Sequence, residues 1–302
     1  MYKYKNIIWL KKMLIQDYFQ FMDVWSAVEL GLYFCVIGYY VLLFAYFGLI
    51  KYRTSKKLYW LFFAILPIML AIGRVFFISY YFFVPEIQGG GATLAEIGAQ
   101  LMIAYRLATF FTWMGITCIV GVLGILLLPT PVDTDRKFDE NGGIKESIAK
   151  VFNNDMVRHV CQLILLIIPL ITGVLALTLP DAVFMDPDIN DKYFGGAVYI
   201  IGPTISDETY AIGRFMLNLV MLPLLFGLIP IIFIYLAWKT FGVLRKSYAL
   251  NAMGFIFYMA GRLLQGVFDS AGLPHMRATI PPLLIILSLL LIVIANNVEQ
   301  LK

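Results

Sequence analysis

Four arginines, Arg74, Arg106, Arg214 and Arg262, stand inside long apolar runs of a 302-residue chain. A charged side chain near the centre of a bilayer costs at least about 2.5–3.5 kcal/mol, so residues that bear this cost usually have a task. Guanidinium is permanently charged, and its planar fork of donors matches carboxylate and phosphate oxygens. At about 1.5 Å of rise per residue, the four arginines fall in the same half of their runs, on four different helices. Glu29 and Asp269 are acids at a similar depth. Arg262, Gln265 and Asp269 are spaced i, i+3, i+7; Arg214 and Asn218 are spaced i, i+4; Arg106, Thr109 and Trp113 repeat the first pattern. Each set shares one face of an α-helix. Lipid cannot satisfy such groups, so the stripes predict a polar seam inside a helical bundle.

Four guanidinium groups against two intramembrane acids leave an excess near +2. A carboxylate, a phosphate or a lipid headgroup would relieve it. Arg74, Arg106, Arg214, Arg262, Glu29, Asp269, Gln265 and Asn218 are therefore the candidate ligand-binding residues. The competing reading is structural: the same arginines pair with Glu29, Asp269, backbone carbonyls and tyrosines and lock the helices together.

The elements that must position these residues follow from composition. The chain is 61% hydrophobic and 14% charged, with a mean hydropathy of +0.84. Soluble domains carry about 25% charged residues, and one water-facing globule could not hide this much apolar surface. Disorder is excluded by the same excess, and three cysteines make no disulfide scaffold. Seven runs reach the roughly 20 apolar residues of a membrane-spanning helix: 24–50, 58–84, 96–128, 159–179, 209–238, 249–272 and 277–297. None alternates as a barrel strand does. The fold expected is an all-α polytopic seven-helix bundle, one transmembrane domain over 24–302.

Thirteen of the 23 basic residues fall on the side of the loops after the first, third and fifth runs, against six on the other. The bias puts the amino terminus outside and the carboxyl terminus in the cytosol. Residues 1–23 form a broad apolar face through Ile7, Leu10, Leu14, Tyr18 and Phe21, opposite Lys12, Gln16, Gln20 and Asp23. This pattern predicts an amphipathic helix lying in the interface; an eighth crossing with an internal amino terminus is the alternative. Within the cytosolic loop 129–158, Ile144, Ile148, Val151 and Phe152 suggest a short surface helix. A gapless offset matches Lys51, Ala64, Ile68, Gly73 and Arg74 with Lys239, Ala252, Ile256, Gly261 and Arg262, a lead towards a 3+1+3 pseudo-repeat.

Other chemistry finds little footing. His159 and His275 are the only histidines, expected on opposite sides of the membrane. Zinc-protease, nucleophile-elbow and P-loop motifs do not occur, so an enzyme is not expected, nor a resident cofactor or metal. Asp186, Asp188 and Asn190 match the start of a calcium loop, but Asp191 and Ala197 occupy its glycine and glutamate positions. Loop 180–208 therefore reads as a turn-rich solvated connection. The outline resembles microbial rhodopsins and animal seven-helix receptors in helix count alone: run 277–297 has no lysine for a retinal Schiff base.

The expectation is a receptor- or sensor-like protein binding a small or lipid-like anionic ligand in an outward-facing polar pocket. Output would pass to a cytosolic or membrane protein partner; nucleic acid is not expected. The alternatives are a secondary transporter of a small anionic solute and a structural subunit of a larger membrane complex.

Overall fold

The computed structural model describes residues 23–83, 93–127, 155–205 and 208–297. The expected interfacial helix before residue 23 and surface helix near 144–152 lie outside these. Helix α1, Val24–Ala45, continues through a π-helical segment, Tyr46–Tyr52, to a last turn at Arg53–Ser55. Asp23 caps its start, accepting the Ser26 N–H at 2.7 Å. Helix α2, Leu58–Ile78, also ends in a π-helical segment, Ser79–Phe83. Helix α3 is Leu94–Leu127 and α4 is Asp155–Thr178.

A folded connection follows: a 3-10 turn at Asp181–Val183, helix α5 at Pro187–Phe194, and strands β1, Thr204–Ile205, and β2, Glu208–Thr209. The strands are antiparallel, with Thr204 opposite Thr209. The next element is broken into a turn, Ile212–Arg214, a π-helical segment, Phe215–Met221, and helix α6, Leu222–Lys239. Helices α7, Gly242–Ser270, and α8, Pro274–Ala295, complete the described chain. Gly242 and Gly272 both adopt a φ of +65°, a left-handed turn that ends one helix before the next starts.

Among the described residues, five helices are long and apolar enough to cross a membrane: Val24–Ser55, Leu58–Phe83, Leu94–Leu127, Met156–Thr178 and Pro274–Ala295. This is an integral membrane protein with an essentially all-helical architecture. Its exposed surface agrees: Leu163, Ile164, Ile168 and Ile171 on α4 are each more than half exposed, a surface that suits lipid and not water. Pro223 falls in the first turn of α6 and Pro230 in its interior.

The chain divides into two compact units. One comprises Tyr40–Ala71 and Thr109–Thr178. Its core includes an aromatic group in which Phe47 stacks on Trp60 at 5.8 Å and meets Phe63 at 5.4 Å. The other comprises residues up to Tyr39, Ile72–Ala108 and Leu179 onward. Here α7 and α8 approach closely: a Cβ on Gly261 would lie 2.9 Å from the Pro281 carbonyl oxygen. Phe233 of α6 stacks on Phe255 of α7 at 5.4 Å. Arg74, Arg106, Arg214 and Arg262 all belong to this second unit.

Candidate functional site

The site is assembled by the connection between α4 and α6. After Pro180 the 3-10 turn closes, with the N–H groups of Phe184 and Met185 both donating to the Asp181 carbonyl at 2.8 Å. Phe184 and Met185 are each 1% exposed and anchor the segment. The Asp186 carboxylate caps α5 by accepting the Asp188 N–H at 3.1 Å. The Asn190 side chain donates to the Val198 carbonyl at 2.7 Å and accepts that residue's N–H at 3.1 Å. The calcium-like residues are thus engaged in the segment's own fold, and among the described residues no group of three potential ligands gathers.

Two close approaches seat this connection. Phe194 lies over Gly98 of α3, where a Cβ would meet its ring at 2.1 Å. Gly213 lies against Val183 and Phe184, where a Cβ would meet the ring at 2.6 Å. Residues 179–205 and 208–214 are therefore docked, and the expectation of a solvated loop is corrected; apolar Phe184, Met185 and Phe194 outweigh the turn-forming aspartates around them.

The docking delivers two carboxylates to two arginines. Asp181 forms an ion pair with Arg106, and Asp186 forms one with Arg214. Arg214 also donates to the Tyr80 hydroxyl at 3.2 Å, and its guanidinium lies 4.5 Å from the centre of the Tyr105 ring. Arg106 lies 5.7 Å from the Phe184 ring centre. Tyr80, Tyr105 and Phe184 follow one another at 5.6 and 6.4 Å, so the cations alternate with a run of rings. Cation–π contact of this kind contributes about 0.5–2 kcal/mol, more where water is excluded.

The remaining candidates form a second group. Arg74, 6% exposed, stacks its guanidinium 4.4 Å from the Tyr33 ring centre, and Arg262 lies 5.5 Å from that of Phe77. Glu29, 2% exposed, accepts from Gln265 at 3.4 Å and from Arg277 at 3.3 Å. Asp269 lies on α7 and Asn218 in the π-helical segment; their side chains are outside the described residues. The i, i+4 spacing of Arg214 and Asn218 runs into the π-helical segment Phe215–Met221, and the Asn218 side chain lies outside the described residues.

The carboxylate partners are corrected in part. Glu29, matched by depth to the four arginines, pairs with Arg277 at the start of α8 and also feels the charge of Arg74; Arg106 and Arg214 take Asp181 and Asp186 instead. Depth counted along a run locates a side chain vertically and not around the bundle. The signal that could have found the aspartates is the charge excess itself.

No protein-family model, no curated protein and no solved structure matches the chain.

Proposed function

We propose that this membrane protein is a receptor- or sensor-like seven-helix protein that binds a small or lipid-like anion through Arg106 and Arg214. One observation carries the reading: two arginines set among aromatic rings are each held by a carboxylate from the same docked connection. Of these, the Asp181 side chain is 54% exposed while its Arg106 partner is 16% exposed. An ion pair reached by water contributes roughly 0–1 kcal/mol, so an external carboxylate or phosphate competes with Asp181 on nearly equal terms. Arg74 and Arg262 add positive potential within the same unit and favour anions over cations.

In this reading, the broken run 209–238 and helix α7 supply the fifth and sixth crossings, ahead of α8. Helix α7 has 29 residues, so at about 1.5 Å each it extends about 43 Å, more than a bilayer core of about 30 Å requires. The connection 179–214 faces outside and the carboxyl terminus the cytosol, as the basic loops favour.

The test is equilibrium binding to the full chain in phosphatidylcholine nanodiscs, with inorganic phosphate, succinate and lysophosphatidic acid as probes. Saturable binding of at least one probe is expected, lost in both Arg106→Ala and Arg214→Ala while the variants still insert. Binding unchanged in both variants, or no binding at all, rejects the site.

A second reading, anion transport, draws support from the π-helical segments Ser79–Phe83 and Phe215–Met221. They interrupt the two elements that bring Tyr80 and Arg214 together. Interrupted helices at a charged site are a feature of transporters, and a 3+1+3 repeat relating Arg74 to Arg262 would suit one. Uptake of the bound probe into sealed proteoliposomes selects transport; binding without uptake selects the receptor reading.

A further inference from the structure

Away from Arg106 and Arg214, a cavity of about 120 Å³ opens where α1 and α8 begin and α7 ends. Its polar and aromatic lining is Asp23, Trp25, Ser26, Glu29, Phe268 and Arg277, completed by the turn 272–274. We infer that this cavity binds a small zwitterion, an ammonium separated by one or two carbons from a carboxylate or phosphate.

Both signs of charge are built into the wall. Asp23 and Glu29 face Arg277, whose Nη2 stands 3.3 Å from Glu29 Oε2. Helix ends divide in the same sense. The carbonyl end of α7, at Phe268–Gly272, carries negative partial charge, and the amide end of α8, after Pro274, carries positive. An ammonium therefore belongs beside Glu29, Asp23 and the end of α7, and an anionic group beside Arg277 and the first turn of α8. Trp25, 43% exposed on the rim, and Phe268 add aromatic lining, a surface that suits a cation.

The Glu29 carboxylate supplies an independent reason. Its side chain is 3% exposed, and its hydrogen bonds from Arg277 and Gln265, at 3.3 and 3.4 Å, lie at the long limit of such contacts, with the Tyr33 hydroxyl and Arg74 also acting on it. A carboxylate has about four acceptor positions, and a buried one is costly unless they are used. A ligand ammonium brings up to three donors.

The same chemistry occurs in a free amino acid and in an ethanolamine phospholipid headgroup, and the test separates them. The full chain is placed in phosphatidylglycerol nanodiscs and titrated calorimetrically with glycine and with O-phosphoethanolamine. In a parallel arm, discs containing equal phosphatidylethanolamine and phosphatidylglycerol are examined for retained lipid by native mass spectrometry. Saturable 1:1 binding of a soluble probe supports a free zwitterion; selective retention of phosphatidylethanolamine alone supports a lipid headgroup. In either case Glu29→Gln and Trp25→Ala are expected to weaken binding at least tenfold, and Trp238→Phe, on α6, to leave it within twofold. Trp25 sits on the exposed rim, so its variant decides the matter where Glu29→Gln fails to fold. No binding in either arm, or binding that survives Trp25→Ala, overturns the inference.

Discussion

Arg106 and Arg214 look alike in sequence but are held very differently. Arg214 combines an ion pair to Asp186, a hydrogen bond to Tyr80 and a position over Tyr105, with side-chain exposures of 21% and 27% across the ion pair. A charge-assisted hydrogen bond contributes about 1.5–3 kcal/mol and a screened surface pair less than about 1. Arg214→Ala is therefore expected to destabilise by ~2–3 kcal/mol and Arg106→Ala by no more than ~1, read as the order of thermal unfolding midpoints in detergent; the reverse order contradicts this account. Asp23 offers a pH-dependent case. Its bonds from Ser26 hold its carboxyl below the ordinary value of 3.8. Because the folded-state value is depressed, the cap's contribution is complete above about pH 4 and fades as the pH falls through the lowered value. Asp23→Ala should cost about 1 kcal/mol at neutral pH, and the gap to the native chain should close on acidification. The arginines were legible in the sequence because a charge in an apolar run is conspicuous. Asp181 and Asp186 were not, because aspartates beside prolines read as ordinary turn formers.

Five of the seven apolar runs reappear as helices of sufficient length and apolarity, with ends that differ by a few residues. Hydropathy finds such elements because the bilayer demands a contiguous apolar stretch. It is blind to hydrogen-bond pattern, so the π-helical segments at Ser79–Phe83 and Phe215–Met221 left no mark, although they bear Tyr80 and adjoin Arg214. Docking of the connection was hidden for a similar reason: it depends on glycines facing particular rings across long sequence distances. Gly202 makes this testable. A Cβ there would lie 1.7 Å from the Tyr210 carbonyl oxygen, which no rotamer can relieve. Gly202→Ala should loosen the connection, seen as faster amide exchange across 181–194 than in the native chain; unchanged exchange would show that the connection is not held as described. Gly261→Leu, against the backbone of Pro281, should cost about 1–3 kcal/mol through overpacking of α7 on α8.

For the molecule as a whole, a 61% hydrophobic composition and exposed apolar helices settle the solvent, and the uneven division of basic residues outside the apolar runs, thirteen against six, argues for its orientation. Orientation is checked with single cysteines in a background lacking Cys35, Cys118 and Cys161. A cysteine at position 199, where Tyr199 is 80% exposed, should react with an impermeant maleimide on intact cells. One at position 238, where Trp238 is 78% exposed, should react only after permeabilisation. The opposite pattern inverts the proposed topology and places the arginine site on the cytosolic side. The central claim is that the loop carboxylates occupy positions an external anion can take. It is tested most directly by comparing anion affinity in the native chain and in Asp181→Asn, using the phosphate, succinate and lysophosphatidic acid probes in phosphatidylcholine nanodiscs. Removing a competitor should tighten binding severalfold while lowering thermal stability only slightly. Binding that is unchanged or weaker in Asp181→Asn would mean that the carboxylate and Arg106 serve packing alone, and would contradict the account.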